Sequence, residues 1–119
     1  MTDLLGAAPG EAVYDEMVDL RRVVHQRPEL AFDEHHTTAL VRDHMSRLGI
    51  DEAVRVTETG GIFAMEGGRR GRSVVLRADV DALPVQEDGA RDGHSQIEGV
   101  MHACGHDVHV AALLGAASV

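Results

Sequence analysis

The chain has 119 residues, the size of one small domain, and a formal charge of −9, which sets it against nucleic-acid phosphates and anionic membranes because no basic face offsets its scattered acids. A hydrophobic content of 44% argues for a folded chain, and 3% aromatics with no Trp leaves Val, Leu, Ala and Met to build the core. A single Cys excludes an internal disulfide. MTDLLGAAPG has neither the basic start nor the apolar run of a signal peptide, and no stretch nears the ~20 apolar residues of a membrane span, so a cytoplasmic location is expected.

Residues 1–10 end in Pro9-Gly10 and read as a frayed leader. Val13, Met17, Leu20 and Val24 then recur at helical spacing, with Glu11, Asp15 and Glu16 early and Arg21, Arg22 and His25 late, as the helix dipole favours. Pro28 ends this helix near Gln26 or Arg27. A second helix is expected over 33–48. Leu40, Val41, Met45 and Leu48 form its buried side, and His35, His36 and His44 its outer face. Gly49 suits a left-handed cap, with Ile50 folding back over it.

The period then turns strand-like. AVRVTE and GIFAME alternate, GGRRGR is a turn, and SVVLRADVD carries Val74, Val75 and Leu76 as a continuous apolar run. That run predicts a buried strand over 73–80, closed by Pro84, with layers packed on both sides in a complete protein. QEDGARDGHSQIEG reads as a loop, and Glu87 just inside it could reach a site, although an exposed loop acid is the preferred reading. DVHVAALLGAASV reads as a helix that is apolar all round and needs neighbours on every side. This order predicts an α/β layer structure.

MHACGHDVH gathers three His, one Asp and the lone Cys into nine positions. In a turn or extended segment, Cys104 and His106 point to the same side and can meet one zinc, nickel or manganese ion, with Gly105 letting the backbone bend. Asp107 and His109 are possible further ligands, supporting residues or substrate contacts. C-x-H supplies two ligands where a closed structural zinc site needs four. A buried small Cys with unrelated His residues is the bland alternative. Asp79 and Asp81 are again two apart, at the end of the expected strand, where open α/β sheets place their ligand crevice. There a carboxylate can bind metal or orient a ligating imidazole; as an alternative, the pair caps a turn. His25, His35, His36, His44 and His94 have no partner at ligand spacing.

LRADVDALPVQE followed by GVMHACGHDVHVAALLGAA resembles the paired signature of the M20 metallopeptidases. The closest branch is the amidohydrolases of N-acyl amino acids, including hippurate hydrolases and auxin-conjugate hydrolases. LRRVVHQRPELAFDEHHTTALVRDHMSRLG and TGGIFAMEG are similar to the same branch, so the resemblance runs from about residue 13 to 119. Val80 and Val108 depart slightly, standing where Met and Gly are commoner. The resemblance implies a mixed α/β catalytic domain holding two divalent ions (zinc, manganese or nickel), with a smaller lid or dimerisation domain inserted later. It makes Cys104 and His106 metal ligands. Asp81 becomes the aspartate that supports a ligand or tunes the site. Asp79 is a weaker candidate, and Asp107 and His109 have no fixed role.

The same resemblance puts the remaining ligands and the general-base glutamate beyond this segment. The reading is therefore that 11–119 is the N-terminal portion of the catalytic domain of a metal-dependent amidohydrolase, inactive alone. Its substrate class would be N-acyl amino acids or short peptides, with no nucleic-acid or membrane partner and a homo-oligomeric full-length form. One rival is a non-catalytic truncated module that binds metal or pairs with a complementing segment. Another is a cysteine hydrolase using Cys104 with His106 or His109, which lacks an obvious third group.

Overall fold

The computed structural model describes residues 10–119, so the leader read over 1–10 lies, except for Gly10, outside the described residues. α1 spans Glu11–Gln26 and ends where Pro28 was expected to end it. Gly10 is its N-cap, its carbonyl accepting from the amides of Val13 and Tyr14. Leu20 and Val24 of the apolar stripe are buried, with Val13 and Met17 half-buried beside them.

α2 spans His35–Arg47, and no side chain of its own N-cap, Glu34, serves the helix. Glu29 does so from the preceding loop. Its Oε1 accepts from the His36 amide at 2.8 Å, and its Oε2 from the Thr37 amide and hydroxyl, each at 2.8 Å. Two otherwise orphan donors of the first turn are thus met by a negative charge where the dipole favours one. At the other end Gly49 adopts φ +74°, the Ile50 amide reaches Met45 O at 3.0 Å, and the Gly49 amide reaches Ser46 O at 2.9 Å. This is the double bond of a Schellman cap, and Ile50 is buried beneath it as the sequence predicts. The predicted faces of α2 need two corrections. Leu48 is exposed, and His44 is buried at 3% exposure. The His44 ring lies between α1 and the end of the chain, with Nε2 3.2 Å from the Ser118 hydroxyl and Nδ1 3.5 Å from Glu16 Oε1.

β1 (Glu52–Arg55) and β2 (Gly61–Phe63) pair antiparallel, Val54 opposite Ile62, with a register irregularity between Glu52 and Val54. Arg42 of α2 holds Glu52 through Nη2 at 3.0 Å and Nε at 3.2 Å, and Thr38 Oγ1 donates to Thr59 O at 2.7 Å. The hairpin is therefore tied to α2 by polar contacts more than by its largely exposed side chains.

The expected buried strand over 73–80 is absent. Val74, Val75 and Leu76 are 82%, 88% and 65% exposed, and the segment carries no ladder. An apolar run specifies a strand only where neighbouring strands and covering layers exist, and among the described residues none lies against it. Order begins at Ala82, which bridges Leu30 in parallel, and at Leu83, which bridges Met101 in antiparallel. The Cα radius of gyration, 15.6 Å, exceeds the roughly 13–14 Å of a compact domain of this length, consistent with a segment that is not folded in.

α3 (His106–Ala117) lies against α1 and, less extensively, α2. Leu20, Met45, Ile50, Val110, Ala111 and Leu114 form the core, flanked by Leu40, Val41 and Phe63. Gly115 allows the closest approach, since a Cβ there would collide with Met17. The helix predicted to be buried on every side buries one side only, leaving Val108 half exposed. Mixed α/β architecture is the outcome, with a two-stranded sheet in place of the larger one expected.

The Glu29 cap yields a stability prediction. Glu29→Ala removes acceptors from the first turn of α2 and should cost about 1–2 kcal/mol. Glu29→Gln, which keeps one oxygen acceptor, should cost less. Urea midpoints of the three proteins measure the difference, and equal midpoints would remove the capping role.

Candidate metal centre

The site loop owes its place to backbone pairing on residues 82 and 83. The Ala82 amide donates to Glu29 O at 2.7 Å. Leu83 and Met101 exchange both bonds, at 3.0 and 3.1 Å. Asp81 thus sits one residue before a pinned segment, and Cys104 and His106 a few residues after one. Gly105, at φ +87°, turns the chain into α3, and its carbonyl accepts from Val108 and His109.

His106 Nδ1 lies 2.9 Å from Asp81 O and 3.1 Å from Asp81 Oδ1. A carbonyl oxygen only accepts, so Nδ1 carries a proton, and in the neutral ring Nε2 keeps its lone pair. An imidazole held in this way is prepared to ligate a cation through Nε2. Cys104 is exposed. The two expected ligands and Asp81 are therefore contributed by two adjoining segments, with the Asp81–His106 contact formed.

The other candidates go elsewhere. Asp79 is bound by Arg77, Nη2 at 2.7 Å and Nε at 3.0 Å, and this guanidinium holds its carboxyl below the usual carboxylate range. His109 is exposed, its ring centroid 6.0 Å from that of His106. Asp107 turns inward and is 1% exposed. Its Oδ2 is ion-paired with Arg21, Nε lying at 2.9 Å, and accepts from His25 Nδ1 at 2.7 Å, while Oδ1 is buried with no partner among the described residues. Among the described residues no three His, Cys, Asp or Glu side chains are grouped to hold one ion.

Sequence reasoning missed the group around His25. It read His25 as a last-turn cation and Glu87 as an exposed loop acid. Both are largely buried, and His25 Nε2 lies 3.0 Å from Glu87 Oε1. Arg21 Nη2 also lies 3.2 Å from His25 Nδ1, but the shorter approach of Asp107 makes that carboxylate the ring's partner. The Ser95 amide donates to Glu87 Oε2 at 2.6 Å. That bond chiefly, with His25, holds the Glu87 carboxyl below its ordinary range, although burial pushes it up. The available signal was the i, i+4 pair Arg21 and His25 at the edge of the buried face of α1. His102 was also missed as a core residue. It is buried, both ring nitrogens lack partners among the described residues, and burial pushes it below the ordinary histidine value against the pull of Asp107.

The donor chemistry fits a divalent cation in part. A thiolate, an oriented imidazole and a supporting aspartate suit a borderline-soft ion, while further ligands have to come from elsewhere.

Comparison with known proteins agrees. Residues 75–119 match Peptidase family M20/M25/M40. The chain is 43% identical over 106 residues to Thermostable carboxypeptidase 2 of Saccharolobus solfataricus, covering 88% of this chain and 27% of that protein. It is 44% identical over 118 residues to IAA-amino acid hydrolase ILR1-like 2 of Arabidopsis thaliana, covering 99% of this chain and 27% of that one. Among solved structures, the Bacillus subtilis YXEP protein, described as a dinuclear metal binding peptidase from the M20 family, superposes with a TM-score of 0.83 at 36% identity. The match covers 88% of this chain and 30% of that one. The chain thus spans under a third of the length of the relatives it matches. Fold and motif loop define a mixed α/β segment similar to part of these proteins, and over residues 75–119 the matching family is M20.

Glu87 gives a pH prediction. Its folded carboxyl titrates below its unfolded value, so its stabilisation is full above about pH 4.3 and is lost as pH falls through the lower folded value. Glu87→Gln removes that contribution and should flatten the acid limb of a stability–pH curve drawn from urea midpoints. An acid limb of unchanged steepness would exclude the role.

Proposed function

We propose that these residues belong to a metal-dependent amidohydrolase that cleaves the amide bond of N-acyl amino acids. The observation that carries this reading is the contact of His106 Nδ1 with Asp81, which leaves Nε2 free to ligate, two residues along the chain from the exposed Cys104. When bound, a pair of divalent ions acidifies water and polarises an amide carbonyl. Zinc, manganese and nickel all suit the Cys/His donors.

The chain's own residues do the holding. Cys104 and His106 serve as ligands, and Asp81 fixes the His106 tautomer. Asp107 faces inward and serves the fold around the ligands, and Asp79 and His109 stand at the margin, available to substrate. Residues 11–119 act as the N-terminal portion of the catalytic domain, with the general-base glutamate, remaining ligands and lid supplied from outside them. The substrate is a small N-acyl amino acid or short peptide. The full-length form is a cytoplasmic homo-oligomer without nucleic-acid or membrane partners. No helix among the described residues is long and apolar enough to cross a membrane. The exposed Val74–Leu76 run favours a second role for the isolated chain, as a module completed by a further segment.

Two preparations test the reading. The 119-residue chain alone, given zinc, manganese or nickel, should not hydrolyse N-acetyl or N-benzoyl amino acids. A chimera joining it to the remaining residues of the Bacillus subtilis YXEP protein should hydrolyse them only with metal. In that chimera Cys104→Ala should weaken metal binding by at least about 100-fold. Turnover that survives both chelation and Cys104→Ala would overturn the assignment. Turnover by the isolated chain would overturn the division of labour.

A further inference from the structure

His25 is remote in sequence from the ligand loop, yet its side chain joins that loop to two other parts of the fold. It lies in the last turn of α1, 62 residues from Glu87 and 82 from Asp107, and touches both carboxylates. Nδ1 meets Asp107 Oδ2 at 2.7 Å and Nε2 meets Glu87 Oε1 at 3.0 Å. Their side chains are 8%, 1% and 14% exposed. Glu87 is itself fixed by the Ser95 amide, and the Gln96 amide bonds Gln26 O at 2.9 Å, so the 86–99 loop is closed onto the end of α1.

Asp107 is the next residue after His106 and lies in the first turn of α3. Backbone and side chain of His106 therefore move with it. Burying a carboxylate costs several kcal/mol unless it is paired and hydrogen-bonded, and Asp107 still has one oxygen without a partner. An apolar side chain would fill this place with less strain on the fold. We infer that His25 is a positioning residue for the ligand loop: through Asp107 it fixes the entry of α3, and with it the orientation of the His106 ring on Asp81. Its consequence for metal rests on the reading given above, whereas its effect on the His106 ring does not.

The two ring nitrogens can be separated by substitution. His25→Asn places an amide donor near the Nδ1 position and can keep the Asp107 bond while losing Glu87. His25→Gln places one near the Nε2 position and can keep the Glu87 bond while losing Asp107. Each variant loses one hydrogen bond, so a merely structural His25 predicts equal effects.

The first readout is metal-free. Nitrogen-15 NMR of the imidazoles in the 119-residue chain reports the His106 tautomer. The unmodified protein and His25→Asn should hold the Nδ1–H form, and His25→Gln should give a mixture. Asp107→Ala, checked for folding by circular dichroism, should behave like His25→Gln and supplies the test if that variant does not fold. The second readout is cobalt(II) bound by the chimera with the remaining residues of the Bacillus subtilis YXEP protein, followed by the thiolate absorption band that Cys104→Ala removes. Cobalt affinity should fall about 10-fold or more in His25→Gln and stay within about 3-fold in His25→Asn. Equal tautomer populations in folded His25→Gln, His25→Asn and unmodified protein would overturn the positioning role. Absence of any Cys104-dependent cobalt band in the unmodified chimera would overturn the metal reading instead, with the tautomer result still deciding the role of His25.

Discussion

Two backbone ties, at Ala82 and Leu83, determine where everything else in the site can be. Glu29 O receives the Ala82 amide, and Leu83 exchanges two bonds with Met101. Residues 29–30, 82–83 and 101 form a short three-layered ladder whose members are far apart in sequence. The Asp81 carbonyl and carboxylate emerge at one end of it, and the Cys104–His106 loop leaves from the adjoining strand. An ordered backbone on both sides limits the freedom of the two segments, so the Asp81–His106 contact forms at little further entropic cost. Glu29 contributes twice, its carbonyl to Ala82 and its carboxylate to α2. Through that one residue the second helix and the site share an anchor.

Charge is distributed in a corresponding way. Four ionisable side chains, Arg21, His25, Glu87 and Asp107, meet at the junction of α1, α3 and the 86–99 loop, with Asp107 Oδ1 left without a partner among the described residues. They lie beneath the ligand loop. Asp81 and Asp79 lie nearer solvent and have different tasks, one orienting His106 and the other neutralised by Arg77. The −9 charge of the chain thus does not report on the site, where most acids already have basic partners.

Local signals were legible in the sequence. The stripe Val13–Val24, the Pro28 stop and the Gly49–Ile50 cap each rest on interactions within a few residues, and each is found in the structure. Signals that depend on distant partners were misread. Val74–Leu76 has the composition of a central strand, but composition does not supply neighbouring strands. His44 looked like an outer-face residue because its partners, Glu16 and Ser118, come from both ends of the chain. His25 and Glu87 have no common motif, and their meeting depends on how α1 and the 86–99 loop are folded together. Asp81 and His106 lie in two short motifs that stand out in the sequence, and the contact between them joins those motifs in space.

The abrupt start of order at Ala82 also has a dynamic consequence. Amides of residues 73–80 have no ladder partners, whereas those of Ala82 and Leu83 are bonded to Glu29 and Met101. Amide hydrogens in the two stretches differ in protection by the free energy of opening that ladder. The exchange map of this protein therefore has a boundary within a few residues of Asp81, and the carboxylate that orients His106 stands at the point where the backbone passes from freely exchanging to protected.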